Sequence, residues 1–225
     1  MLLIGNTLLP IGSLLVKGAM NTTLPNEICK AGSADLGSRP PRERILLVAR
    51  DLFYRHGLHS VGVEAIVEAA LTNKMTLYRH FKSKDELIVA YVTQLASEGD
   101  TVWERIAAEN PGDPQKRLDA WVDHIEDVLT NKYERGCALA NAAVELDAEH
   151  PARAVIEAYK QRKREALVEL FKAARYREPE LLADEVFLLF EGARISIQCG
   201  GKGPASRVVH MLRGLLAAGP RGNRS

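Results

Sequence analysis

The stretch Gly62-Val-Glu-Ala-Ile-Val-Glu-Ala-Ala-Leu-Thr-Asn-Lys-Met-Thr-Leu-Tyr-Arg-His-Phe-Lys-Ser-Lys-Asp-Glu-Leu87 constrains this chain more than any other. Its apolar residues recur at helical spacing on either side of a short polar break, which predicts two short helices joined by a tight turn. The first helix is expected over Val63 to Ala70, with Ala65, Ile66, Ala69 and Ala70 forming a small apolar face that lets a neighbouring helix approach closely. Leu71-Thr72-Asn73 forms the turn, and Asn73 suits an N-cap because its side chain can accept a backbone N–H of the new helix. This is the layout of a helix-turn-helix, whose second helix enters the major groove of DNA.

At 100° per residue, Leu77 and Phe81 share one face of the second helix and are expected to be buried. Met75, Tyr78, Arg79 and Lys82 then point away from that face, with Lys74 and Thr76 on its flanks. Aromatic, basic and hydroxyl groups on one exposed face suit DNA. The alternative is a surface helix with solvated charges and a half-exposed Tyr78.

The run Leu77-Tyr78-Arg79-His80-Phe81-Lys82-Ser83-Lys84-Asp85-Glu86-Leu87 resembles the DNA-binding domain of TetR-like transcriptional repressors. The preceding helix, Arg44 to His56 with Ala49, Leu52, Phe53 and the closing Gly57, resembles that family's first helix. The resemblance covers about Arg42 to Leu87. It implies an all-α protein: a three-helix DNA-binding head followed by a six-helix body for ligand binding and dimerisation, about nine helices in all. It implies that Lys74, Met75 and Tyr78 face base edges, and that Thr76, His80 and Lys84 bind phosphates with Arg79 assisting. Hydroxyl, imidazole and ammonium donors would fix register on the backbone, and groove-facing side chains would read sequence. Two residues depart from the family pattern. Leu71 stands where glycine is common, so the turn must tolerate a side chain or use another backbone region. Glu64 stands where a phosphate contact is expected, and an acid there repels DNA.

Charge distribution agrees. The net charge of the 225 residues is +1, but residues 39–91 hold 9 Lys/Arg against 6 Asp/Glu, a net +3. Residues 92–225 hold 19 against 21, a net −2. A basic head on a mildly acidic body fits a DNA-binding module joined to a regulatory one. Cys29, Cys137 and Cys199 lack metal-ligand spacing, and the histidines include no i, i+4 pair, so no metal or cofactor is expected. An odd, unpatterned cysteine count suits a reducing cytoplasm.

Residues 1–38 read as a flexible extension, with an over-long start and translation from Met20 as the alternative. The apolar run from Met1 to Ala19 lacks a basic leader region and is broken by Gly5, Pro10 and Gly12, so neither a signal peptide nor a membrane span is expected. The head is placed at 39–87, the body at 88–219 and a tail at 220–225. In the body, helices are expected over Lys84 to Ala108, Gln115 to Asn131, Gly136 to Leu146, Pro151 to Arg175, Glu180 to Gln198 and Ala205 to Ala217. Asn110 to Pro114 and Gly200 to Pro204 serve as breaks. The last two helices are apolar enough to complete the core or to meet their twins across a two-fold axis, the arrangement the resemblance implies for a homodimer.

The resemblance also implies release from a double-stranded DNA operator by a small-molecule inducer bound in the body. Trp121, His124, Cys137, Asn141, Glu145, Tyr159, Phe190 and Cys199 place polar or aromatic atoms in apolar stripes and are the candidate lining. For Trp121 and Tyr159 the alternative is ordinary core packing. Lys160 to Arg164 reads as a solvated face. Cysteine redox sensing by Cys137 and Cys199 is an alternative effector mechanism on the same scaffold, with Arg135 near Cys137 in sequence. No catalytic constellation is recognisable: there is no GxSxG, no phosphate-cradling glycine loop and no convincing carboxylate pair.

Overall fold

The computed structural model of the chain describes residues 33–131, 135–200 and 202–217. The expectations for residues 1–32, including the Met20 start and Cys29, and for the tail at 220–225 lie outside the described residues. Ten helices run through the rest, with no strand among the described residues: α1 Ser33–Ser38, α2 Pro41–His56, α3 Val63–Ala69, α4 Lys74–His80, α5 Lys84–Glu109, α6 Pro114–Asn131, α7 Ala138–Glu145, α8 Pro151–Ala173, α9 Pro179–Gln198 and α10 Lys202–Ala217. The all-α expectation of a three-helix head (α2–α4) and a six-helix body (α5–α10) holds.

Proline explains most of the shifted boundaries. Helices α2, α6, α8 and α9 each begin on a proline, whose fixed φ and missing N–H suit the first helical turn. Pro41 therefore starts α2 three residues ahead of the expected Arg44, and Pro114 opens a helix where it was read as part of a break. The last helix likewise starts at Lys202, with Gly203 and Pro204 inside its first turn, where backbone N–H groups have no helical partner.

Three further observations concern the head, two of them corrections. Residues 33–38, assigned to the extension, form α1, and Leu36 is buried in the head's apolar cluster. The buried face of α3 is Ile66 and Val67, continued by Ala70, while Ala65 is exposed. The turn after α3 keeps its leucine in the left-handed region, Leu71 having φ +52°, a conformation that Cβ sterics disfavour.

Two apolar clusters organise the chain. One combines the head, the start of α5 through Val92, all of α7's buried residues and Ala152 and Ile156 of α8. The other joins α5's distal half with α6, α8, α9 and α10 around Leu118, Ile125, Phe171 and Leu212. The head's core thus runs past the boundary expected at Leu87. Helix α5, at 26 residues, extends for about 39 Å and carries side chains of both clusters. Among the described residues, no helix is long and apolar enough to cross a membrane.

Leu71 is 59% exposed, so its side chain gives little packing in return for its backbone strain. Leu71→Gly should raise stability by about 1 kcal/mol, read as a higher denaturant midpoint at unchanged slope.

Candidate nucleic-acid interface and its link to the body

Helix α4 has only seven residues, too few to stand alone in water, so its contacts fix it. Asn73 caps it as expected, its side-chain oxygen accepting from the Thr76 amide at 2.9 Å. Leu77 is fully buried, and Phe81, just past the helix, is buried with the Arg42 guanidinium 5.1 Å from its ring centre. Burying two such side chains contributes about 1.5–3 kcal/mol each. With that face locked, Lys74, Met75, Tyr78 and Arg79 are exposed and Thr76 is half-buried. Met75 and Tyr78, at 79% and 47% exposure, are among the most exposed large apolar side chains.

Two expected phosphate ligands sit differently. Lys84 is the first residue of α5, half-buried beside the N-cap Ser83, whose hydroxyl accepts from the Glu86 amide at 3.0 Å. The Glu86 carboxylate reaches back to the Lys82 amide at 2.8 Å, so that helix start is already capped. His80 is half-buried and its Nε2 is turned inward without a hydrogen-bond partner. A phosphate contact by His80 therefore falls to Nδ1.

Glu64, the acid out of place in the family pattern, forms an ion pair with Lys74 across the N-termini of α3 and α4. The hydrogen bond from Lys74 lowers the Glu64 pKa, and the same bond raises that of Lys74. Arg44, which the sequence reading left without a role, joins the pieces of the head. Its guanidinium donates to the carbonyls of Ala70 (3.1 Å), Leu71 (3.3 Å), Gly37 (3.1 Å) and Arg39 (3.3 Å). It thereby satisfies carbonyls at the C-terminal end of α3, where a cation is favoured. Partners 26 and 27 residues away leave no local signal that sets Arg44 apart from Arg42.

The second group of connections runs between head and body. The Glu145 carboxylate, at the end of α7, accepts from the amides of Leu58 (2.7 Å) and His59 (3.1 Å) in the loop after α2. The His59 ring meets the Glu145 carbonyl at 2.6 Å. Gly57 precedes these amides with φ +87°, and a Cβ there would come within 2.9 Å of the Glu145 carboxylate. Arg135 donates to the Tyr54 carbonyl at 3.0 Å and to that of Arg55, at the C-terminal turn of α2, and its amide donates to the Tyr54 hydroxyl at 2.9 Å. Asn141 donates to the Arg135 carbonyl at 2.7 Å and accepts from Gln198, the last residue of α9, at 3.1 Å. Polar contacts thus run unbroken from the end of α9 through Asn141 and Arg135 to the end of α2.

The residues expected to line a ligand site are divided between the two apolar clusters and their surroundings. Glu145 is committed to its bonds with the head, and Asn141 to Arg135 and Gln198. Cys137 caps α7, its sulfur accepting from the Ala140 amide at 3.4 Å, and is buried in the head's cluster, against which Tyr159 packs. Trp121 lies in the other cluster, its ring 5.9 Å from Trp103 and 6.1 Å from Phe190. His124 is half-buried on α6, and Cys199 is exposed at the end of α9. Desolvation raises the Tyr159 pKa and lowers that of Lys163. Lys163 is buried against the Trp103 and Tyr159 rings and pairs with Asp100 at 2.8 Å. Lys160, within the run read as solvated, instead pairs with Glu191 at 2.5 Å and lies 3.8 Å from the Cys137 sulfur. A solvent-open groove of about 590 Å³ between α2 and α5, lined by Arg42, Leu46, Gln94 and Glu98 among others, contains none of the expected lining residues.

Comparison with known proteins agrees with this geometry. The family described as "Bacterial regulatory proteins, tetR family" matches residues 45–91, which span most of α2, all of α3 and α4, and the first turns of α5. Residues 45–91 thus match the DNA-binding region of that family. Among curated relatives, the HTH-type transcriptional regulator UidR of Escherichia coli K12 is 42% identical over 57 residues, 25% of this chain and 29% of UidR. The HTH-type transcriptional activator FasR of Mycolicibacterium smegmatis is 33% identical over 103 residues, 44% of this chain and 47% of FasR. The chain thus spans less than half the length of either. The likeness to solved structures reaches further. The TetR-family regulator SCO4454 of Streptomyces coelicolor superposes with a TM-score of 0.74 at 27% identity, covering 80% of this chain and 96% of that one. The TetR-type head and the helical body therefore occur together in a solved structure that this chain covers almost throughout.

Truncating Glu145 strands two amides. Glu145→Ala should lower stability by about 1–3 kcal/mol and accelerate hydrogen exchange at Leu58 and His59 before the rest of the head.

Proposed function

We propose that this chain is a homodimeric transcriptional repressor of the TetR type, working in the cytoplasm, that binds a palindromic operator through α4 and is released by a small-molecule inducer in its body. The observation that carries the reading is the division of α4: Leu77 buried, with Lys74, Met75, Tyr78 and Arg79 exposed on a seven-residue helix. In the proposed complex Lys74, Met75 and Tyr78 read base edges, while Thr76, His80 through Nδ1, Lys84 and Arg79 hold phosphates.

Dimerisation through α9 and α10 is supported by apolar side chains left in water. Leu181, Leu188 and Ile195 follow at intervals of seven along α9 with exposures of 52%, 68% and 56%, and Met211 of α10 is 46% exposed. A seven-residue interval keeps them on one face, the pattern of a helix seam, and contiguous apolar surface marks an interaction site. Two heads would then meet successive major grooves roughly 34–36 Å apart.

For the inducer, Trp121, His124, Cys137 and Tyr159 remain the proposed lining, with Asn141 and Glu145 as transmitters. An inducer that shifts α7 would alter the bonds to Tyr54, Arg55, Leu58 and His59, and with them the head. A coupling of about 1–3 kcal/mol would lower operator affinity about 5- to 150-fold. One observation favours a thiol-based effector instead, the Lys160 ammonium 3.8 Å from the Cys137 sulfur; alkylation that leaves DNA binding and its release unchanged would remove it. FasR's name as an activator makes the direction of control a matter for transcription assays.

Two measurements test the reading. In anisotropy titrations against DNA from upstream of its own gene and a scrambled duplex, Tyr78→Ala should weaken specific binding selectively. Lys84→Ala should weaken both and reduce the salt slope by about 1; an unchanged slope would remove Lys84 from the phosphate contacts. Leu188→Lys should convert the dimer to monomer in sedimentation velocity with its helical content intact.

A further inference from the structure

Lys74 and Glu64 form an ion pair on a surface expected to be basic. Glu64 is the second residue of α3 and Lys74 the first of α4, with side chains 70% and 54% exposed. Lys74 stands one turn before Tyr78 on α4, and Met75, Tyr78, Arg79 and Lys82 are all exposed. Nothing in the packing requires an acid at Glu64, since neither partner is buried. An exposed pair of this kind contributes little to stability, so its consequence lies in what each partner can bind.

We infer that Glu64 is a specificity-determining residue: the Glu64–Lys74 pair is a joined acceptor and donor that fits the major-groove edge of a G·C base pair and penalises contact with phosphate. The inference rests on the proposed groove-facing role of α4. Guanine offers two acceptors, O6 and N7, to an ammonium donor, and cytosine offers its N4 amino group to a carboxylate. Guanine O6 and cytosine N4 are themselves hydrogen-bonded neighbours, so a contacting ammonium and carboxylate can meet both without separating. An A·T pair presents the amino group and the acceptor on the opposite bases, leaving the carboxylate against a carbonyl and the ammonium against an amino group.

On non-cognate DNA the same pair works against binding. Lys74 gains a phosphate only by leaving Glu64, and the released carboxylate then faces the phosphate backbone. A lysine already neutralised by an internal acid also displaces no condensed cation from the DNA, so it adds nothing to the salt-dependent driving force. Glu64 thus acts on phosphate through Lys74, as a positioning residue, and on cytosine directly.

The test uses the full chain and two kinds of duplex: a scrambled sequence, and the tightest-bound duplex with each G·C pair replaced in turn by A·T. Glu64→Gln should bind the scrambled duplex more tightly, with a salt slope steeper by about 1. It should also lose about 5- to 150-fold of the discrimination at one G·C position. Glu64→Asp should restore part of that discrimination. In a Lys74→Met background, Glu64→Gln should leave the salt slope on scrambled DNA unchanged. The inference is overturned if Glu64→Gln alters neither slope nor discrimination, or if its effect on the slope persists without Lys74. Wild-type protein that binds no duplex at low salt would instead overturn the DNA-binding reading, and this inference with it.

Discussion

A helix of seven residues does not hold its shape in water, and the rest of this structure depends on how α4 is held. Its nucleation cost falls on three contacts: the Asn73 cap, the burial of Leu77, and the burial of Phe81 immediately after it. These contacts fix rotation as well as existence. Because Leu77 cannot leave the core, Tyr78 and Met75 cannot leave the surface. Arg44 secures the preceding turn by occupying the last carbonyls of α3, and Leu71 accepts a left-handed backbone there. The head is therefore a small scaffold whose polar and apolar contacts all determine where one short helix points.

The body supports that scaffold as well as following it. One apolar cluster spans the head, α7 and the start of α8, and the hydrogen bonds of Glu145 and Arg135 end on backbone groups of α2 and its following loop. Backbone groups at a helix end are sensitive reporters, because a shift of a fraction of an ångström in α7 and the residues before it lengthens several charge-assisted bonds together. Helix α5 is the covalent link, and α7 with the start of α8 forms a non-covalent one. The connection of Asn141 to Gln198 brings the end of α9, beside the exposed apolar stripe, into the same set of bonds.

The sequence revealed the head almost completely because its determinants are local. Periodicity predicted the buried Leu77 and Phe81, Asn73 was legible as a cap, and the exposed face of α4 followed from geometry. What escaped was long-range. Arg44 looks like any surface arginine until its partners near Ala70 are in place. Asn141 and Glu145 were legible as polar groups in need of partners, but Glu145 finds them in the head and Asn141 finds them in Arg135 and Gln198 of the body, rather than in a ligand. Ala65 was misplaced because small residues carry little directional signal, and Ile66 and Val67 decide the buried face of α3. Helix starts were read late wherever proline was taken as a break, since the same residue that ends one helix is well suited to open the next.

Selection of bound duplexes from a randomised pool tests the central claim most directly, because it asks whether two copies of α4 read DNA together. The expected outcome is one enriched palindrome whose half-sites lie about 10 bp apart centre to centre, or a multiple of that, with the enrichment lost for Tyr78→Ala. Recovery of no preferred sequence by the wild-type protein, or of the same palindrome by wild type and Tyr78→Ala alike, would contradict the account.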